Sequence, residues 1–431
     1  MKLRFVYPKF ARHADHHPEL REAVPCNEYF GPPSLGIACL AAVTPPEWTY
    51  DFRDERVEEV GTDDDDVDLI ALSFFTPAAT RGLQLADEYR ARGKKVVMGG
   101  IFPTLMPEVV EGHADAIVLG EGEGVWADVL ADAKAGTLKP TYSGSSVDPS
   151  TLPQPRIDLY INKENEVYRP DDYPVQIARG CPLKCFACVL PKSMGPKLRH
   201  FGTEHALGQI DQLKKYGKLG SLTEDTSLFF GSGTQRRFGW LLDALTDREG
   251  PAPISYLGTS MPMIRATSSD FLQRMRKAGI NMFYLVGGFD PFTMKAFTGN
   301  DPDALQKAHD AVQKCFDHGI EPYTSFLVGN DQDDEGTFDR MLEFANKAKI
   351  RKAEFAIATP YPGTSIWHRL VAEDRIIDRT WAHYNDANVT FQPKQMSPER
   401  LLQGYLYMWK EFYKSRQELR NLGREERTIQ F

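Results

Sequence analysis

The chain has 431 residues, of which 42% are hydrophobic and 26% charged, a globular composition too long for one ordinary core. Its formal net charge of −9 argues against non-specific nucleic-acid binding, which needs a basic footprint. No apolar run reaches bilayer length and MKLRFVYPKF lacks the apolar centre of a signal peptide, so a cytoplasmic protein with no membrane span is expected, one in which clustered cysteines read as metal-binding or catalytic.

LRFVY opens the chain as a strand. HADHHPE follows with His13, His16 and His17, which lack a spaced partner motif and read as an exposed, incidental cluster. SLGIACLAAV is a helix with Ser34 as N-cap, and WTYDF a second strand. The acidic run Asp63–Asp66 reads as solvated surface. VDLIALSFF is the continuous apolar run that a parallel sheet asks of its strands. TRGLQLADEYRARG is a helix closed by Gly93. KKVVMGG, a helix near Pro107–Glu111, DAIVLGEGE and a helix through VWADVLADAKAG complete the series. This alternation predicts an α/β fold, a Rossmann-like doubly wound parallel sheet. YSGSSVDPSTLPQPRIDLY carries no periodicity and reads as a linker.

A second α/β series begins at YPVQIARG and continues through SLFFGSG, ISYLGTS, NMFYLVGG, PYTSFLVG and AEFAIATP, with helices between. In DPDALQKAHDAVQKCFDHG, Leu305, Ala308, Val312, Cys315 and Phe316 share one helical face and Gly319 closes it. Cys315 is therefore a core residue, as is Cys39 on the first helix; Cys26 lies in a loop with no assigned role. SPERLLQGYLYMWKEFYKSRQELRNL is a long helix with Ser397 as N-cap and Pro398 at its first position. Its stripe of Leu401, Tyr405, Met408, Trp409 and Phe412 is explained by packing onto the second unit, with a lid over a site as the alternative.

RGCPLKCFAC holds Cys181, Cys185 and Cys188 in one short stretch. Structural zinc wants four closed ligands, and the next histidine, His200, is not signposted as a fourth. A disulfide framework does not suit the cytosol. An ordinary electron-transfer [4Fe–4S] cluster wants four cysteines. The remaining reading is a [4Fe–4S] cluster held by three thiolates, with one iron left open. The nearby PKSMGPKLRH is basic; Lys192, Lys197 and Arg199 either steer an anionic substrate or form a solvated loop.

This Cys-x3-Cys-x2-Cys, preceded by ARG, resembles the radical S-adenosylmethionine (SAM) superfamily. VVMGGIFPTLMPEVVEGHADAIVLGEGE is similar to the cobalamin-binding-type domain ahead of the barrel in one branch of it. SFLVGNDQDDEGTFDRMLEFA, ATPYPGTSIWHRL and MSPERLLQGYLYMWKEFY resemble that branch's later strands and C-terminal extension, so the likeness spans nearly the whole chain. It implies a cobalamin-binding-type domain at 1–145, a linker at 146–171, a partial (β/α) barrel at 172–385 and a helical extension at 386–431. It further implies a [4Fe–4S] cluster on the three cysteines, whose open iron chelates SAM and whose electron cleaves it to a 5′-deoxyadenosyl radical. Phe186, Gly231, Ser232, Gly233 and Asp290 are the implied SAM contacts. They depart from the family, which has an aromatic residue where Ala187 stands, often paired acids near FFGSGTQRR, and GIES where this chain has VGGFDPF.

For cobalamin, the residues at strand ends are Ser73, Thr76, Gly99, Gly100, Gly120 and Glu121, where ligands of open α/β sheets bind. The Asp-x-His-x-x-Gly that supplies cobalt's lower histidine in many cobalamin proteins is absent, and Phe102 stands where several relatives have histidine. The implied reaction is cobalamin-dependent C-methylation of an unactivated carbon in a small-molecule substrate, with a second SAM renewing the methyl group and flavodoxin or ferredoxin as low-potential electron donor. The alternatives are a radical cyclisation, oxidation or rearrangement without methyl transfer, and an iron–sulfur redox sensor. The methylthiotransferase reading is set aside, since further N-terminal cysteines and a basic tail of that kind are lacking.

Overall fold

The computed structural model of the protein describes residues 1–24, 31–62, 66–161, 163, 172–183, 185–222, 231–248, 250–286, 302–414 and 416. Cys26, Asp290 and most of the acidic run Asp63–Asp66 lie outside them.

Strands β1 (Lys2–Tyr7), β2 (Thr49–Asp54), β3 (Leu69–Ser73), β4 (Lys95–Gly99), β5 (Ala116–Leu119) and β6 (Thr141–Ser143) form one sheet in the order β2-β1-β3-β4-β5-β6. All neighbours are parallel. The winding reverses between β1 and β3, and such a reversal opens a crevice beyond the carboxyl ends of the strands. β3 is buried on both faces, as its unbroken apolar run requires. β6 belongs to the stretch read as linker; three residues are too few to show a period. The rest of that stretch is packed down as well. Ile157 and Tyr160 are buried, and the Tyr160 hydroxyl donates to the Ser34 carbonyl at 2.8 Å.

The second sheet contains β7 (Tyr173–Pro174), β10 (Gly220–Leu222), β11 (Ile254–Thr259), β12 (Met282–Val286), β13 (Glu321–Val328) and β14 (Lys352–Ile357), in the order β14-β13-β12-β11-β10-β7. Each strand lies beside its predecessor and none reverses, which is the winding of a (β/α) barrel left open. Between β7 and β10 the chain forms a separate antiparallel pair, β8 (Ala178–Arg179) and β9 (Arg199–His200).

Helix Pro398–Lys414 packs on the outer face of β14. Ser397 caps it, its hydroxyl accepting from the Arg400 amide at 3.1 Å. Trp409 and Phe412 meet Phe355 edge-on, at 5.4 and 5.6 Å between ring centroids. Trp409 Nε1 donates to the Phe355 carbonyl at 3.2 Å, and the Tyr413 hydroxyl to that of Ala353 at 2.6 Å. The apolar stripe is therefore used up against the wall of the sheet, and the lid alternative falls away.

Helix Pro302–Asp317 buries Ala308, Val312 and Cys315, whereas Leu305, expected on the same face, is exposed near its start. Burial pushes the Cys315 thiol up to about 12, so it stays protonated. Cys315→Ala is expected to cost about 1 kcal/mol in packing, measured as a lower urea midpoint with unchanged slope.

The three N-terminal histidines are not an exposed cluster. They are partly buried against the C-terminal segment: His13 Nδ1 is 2.9 Å from the Tyr405 hydroxyl, and His17 Nε2 is 2.8 Å from the Ala387 carbonyl. Burial lowers the His13 pKa to about 4, so it packs there as a neutral ring. Among the described residues no helix is long and apolar enough to cross a membrane.

Candidate active site

β8 and β9 pair Ala178 with His200 and Arg179 with Arg199. The chain between them is one excursion whose two ends are fastened together, and Cys181, Cys185 and Cys188 all lie on it. Its neck is tight. Gly180 has φ 81°, and a Cβ there would sit 2.4 Å from the Lys197 carbonyl oxygen, so the position admits only glycine. The Cys181 amide donates to the Gly195 carbonyl at 3.1 Å, and the Cys188 amide to that of Cys185 at 3.3 Å.

Cys181 is buried and Cys185 and Cys188 are half-buried. Cys39 and Cys315 are the remaining described cysteines, and burial holds each protonated with a pKa near 12. The loop thiols are thus the natural soft donors of the described chain. Among the described residues no three of His, Cys, Asp and Glu converge as the ligands of a single ion do. A four-iron cube does not ask for that, since it takes one thiolate on each of three irons.

Facing this loop is a cavity of about 440 Å³ beyond the carboxyl ends of the first sheet. Ser73, Gly99, Gly100, Gly120 and Glu121 line it, as do Ser34, Gly36 and Thr104. Thr76, expected among them, is buried at the start of a short turn and is not in the lining. Phe102 also points elsewhere: it is fully buried, its ring 5.2 Å from that of Trp381. Gly100 has φ 97°, and a Cβ would come within 2.8 Å of the Phe74 carbonyl oxygen. Thr104 was not anticipated from sequence, although it sits just after the GG turn. Its hydroxyl donates to the Gly100 carbonyl at 2.7 Å and accepts from the Gly120 amide at 3.0 Å, tying two glycine turns together. A cradle of small residues and backbone suits a broad, flat ligand. The opposite wall comes from the second unit: Val175, Gln176, Arg179, Leu190, Ser193 and Met194.

The two walls are joined by buried charge. Glu121 accepts from Arg199 through both carboxylate oxygens, one of them at 2.9 Å from Nη1, and lies 3.4 Å from Arg179 Nη1. Glu123 pairs with Arg179 Nη2 at 2.7 Å. Glu121 also accepts from the Val147 amide at 3.1 Å. Glu121 therefore lines the cavity with its charge already committed. Arg199 is likewise committed, which removes it from the basic loop read as steering an anionic substrate; Lys192 and Lys197 remain exposed there.

Residues 33–130 match the B12 binding domain family, and residues 364–425 a domain of unknown function, DUF4070. Bacteriochlorophyllide d C-8(2)-methyltransferase of Chlorobaculum tepidum is 27% identical over 88% of this chain and 86% of its own length. Anaerobic magnesium-protoporphyrin IX monomethyl ester cyclase of Cereibacter sphaeroides is 24% identical over 80% of this chain and 60% of its own. The structure of the radical SAM methyltransferase TsrM from Kitasatospora setae, with cobalamin and a [4Fe–4S] cluster bound, matches in fold with a TM-score of 0.62 at 14% identity, covering 94% of this chain and 85% of that one. Residues 33–130 thus match a B12-binding domain, and over most of its length the chain is similar to methyltransferases and cyclases and shares the fold of cobalamin-dependent radical SAM enzymes.

Of the expected SAM contacts, Asp290 lies outside the described residues. Phe186 is half-buried on the cysteine loop, and its carbonyl accepts from the Ile366 amide at 2.9 Å. Gly231, Ser232 and Gly233 do not end a strand; they begin helix Gly231–Thr246, with Gly233 exposed. Residues 227–230, read from sequence as the strand before them, lie outside the described residues.

A feature of the second sheet also escaped sequence reading. Phe355 faces the tail helix and Phe326 faces helix Thr337–Lys347, so Tyr323 and Glu354 point to the opposite, inner face. Tyr256, Tyr284 and Tyr323 form a row across β11, β12 and β13, with successive rings 6.1 and 5.3 Å apart. Glu354 accepts from the hydroxyls of Tyr284 and Tyr323, the latter at 3.2 Å. The signal was a tyrosine or glutamate at the third position of each of four successive strands.

Proposed function

We propose that this enzyme binds a [4Fe–4S] cluster, SAM and cobalamin, and methylates an unactivated carbon of a small molecule. One observation carries the reading: the cradle of the B12-binding domain and the cysteine loop, through Leu190, Ser193 and Met194, line one and the same cavity. Cys181, Cys185 and Cys188 would hold the cluster, and Ser73, Gly99, Gly100, Gly120 and Thr104 would cradle cobalamin. When bound, these groups supply one-electron cleavage of SAM and methyl transfer. The chain's own part is positioning and exclusion of water. The glycine turns bring backbone against the flat face of the ligand. The apolar Leu35, Leu40, Val118 and Met194 keep the space dry. The methyltransferase relatives and the TsrM structure support the choice of methyl transfer; a neighbouring TsrM structure holds a tryptophan substrate, in keeping with a small-molecule partner. Flavodoxin or ferredoxin would supply the electron.

Reconstituted enzyme, methyl-labelled SAM, a low-potential reductant and candidate metabolites provide the test. Methylation predicts 5′-deoxyadenosine and S-adenosylhomocysteine in equal amounts, with the label in the substrate. The cyclase relative marks the second reading. That reading predicts 5′-deoxyadenosine without S-adenosylhomocysteine, and a substrate whose mass does not rise by a methyl group. An iron–sulfur sensor would consume no SAM at all.

A further inference from the structure

We propose that Arg179 and Arg199 are positioning residues that lock the cysteine loop onto the cobalamin cradle, and that this lock sets how tightly radical formation is coupled to methyl transfer. The proposal rests on the reading just given. Its physical basis is where the charges sit.

The loop that carries the cysteines leaves and returns through β8 and β9, which share only the pairs Ala178–His200 and Arg179–Arg199. A ladder that short does not hold a long loop in one orientation. Its two arginines stand opposite each other at the neck. Both reach the same turn of the B12-binding domain, the one after β5: Arg199 to Glu121, and Arg179 to Glu123 with Glu121 behind it. Arg199 also donates to the carbonyls of Val147 at 2.6 Å and Met194 at 2.9 Å. One guanidinium therefore joins the cradle, the segment after it and the cysteine loop itself. Gln176 holds the other, accepting from Arg179 Nε at 2.9 Å.

Burial is what turns this contact into a lock. The Arg179 and Glu121 side chains are 5% and 4% exposed, so salt and water screen the pair little. Two glutamates balance two arginines. Removing one partner leaves another charge buried without compensation, which drives the neck apart. Displacement of reacting groups by as little as 1 Å can cost about 10²-fold in rate. A loosened loop would still cleave SAM, while the radical and the methyl donor would no longer meet the same substrate in register.

The test uses the full chain with Glu121→Gln, Arg199→Lys and the double variant Glu121→Gln/Arg199→Gln. Hydrogen exchange, measured before reconstitution, is expected to rise about tenfold for amides of 180–198 in Glu121→Gln, with β13 unchanged. Arg199→Lys, which keeps the charge and loses the fork, is expected between Glu121→Gln and wild type, and reports even where Glu121→Gln folds poorly. The double variant is expected to be no looser than Glu121→Gln, because neither buried charge is then left alone. After reconstitution, 5′-deoxyadenosine formed per methylated product is expected to rise about tenfold at unchanged iron content. Unchanged exchange in 180–198 overturns the lock. Loosened exchange with an unchanged product ratio overturns the coupling and leaves a structural contact only. A wild type that makes no methylated product overturns the preceding reading and the coupling with it, while the exchange data still decide the lock.

Discussion

Replacing any one of Cys181, Cys185 and Cys188 by Ala is expected to remove the protein's iron–sulfur absorption and its SAM cleavage together, each by more than about 10²-fold. All three sit on one loop with a fastened neck, so the loss of one thiol is expected to leave the two sheets in place. No described cysteine can take over. Cys39 and Cys315 are buried and held protonated, and a metal ligand must be a thiolate. The measurement is iron and sulfide per chain, with 5′-deoxyadenosine formation alongside. A triple variant that keeps full iron and sulfide would falsify the assignment.

Cobalamin binding should fail in Gly36→Trp. Gly36 lies on helix Leu35–Ala42 and lines the cavity, and a Cβ there meets nothing nearer than the Ser34 hydroxyl at 3.8 Å. The backbone therefore accepts a side chain, and the indole must occupy the ligand's space. Gly100 looks like the obvious target from sequence, but its positive φ and the Phe74 backbone 2.8 Å away make any substitution there an injury to the fold. The variant should retain its iron and lose more than about tenfold in bound cobalt after loading with hydroxocobalamin. Full cobalt retention in Gly36→Trp, or a wild type that elutes without cobalt, sinks the cradle.

Much of this architecture was readable because it depends on local pattern. Continuous apolar runs gave away the parallel strands, and glycines at strand ends marked where the backbone turns into the cavity. The cysteine triplet announced itself by spacing alone. What stayed hidden depends on contacts between distant positions. Glu121 reads as a cobalamin contact and Arg199 as part of a basic loop until the fold pairs them with each other. His13, His16 and His17 read as exposed because their partners, Tyr405 and the segment around Ala387, come from the far end of the chain. Thr76 failed for a local reason: it follows its strand closely, but the turn it begins carries it into the core. Gly231, Ser232 and Gly233 open a helix, which a glycine–serine run suits about as well as it does the end of a strand.

The tail helix has a consequence beyond packing. A sheet that stops short of closing into a ring leaves its last strand with a row of amides and carbonyls facing outward, a template for pairing with another chain. β14 is that strand. Several of its outward groups are engaged: the Tyr413 hydroxyl bonds both the amide and the carbonyl of Ala353, Trp409 takes the Phe355 carbonyl, and the Asp386 carbonyl takes the Ile357 amide. Side chains of a helix thus take over much of the work of the missing strand, and this edge of the open barrel is blunted as a template for self-association.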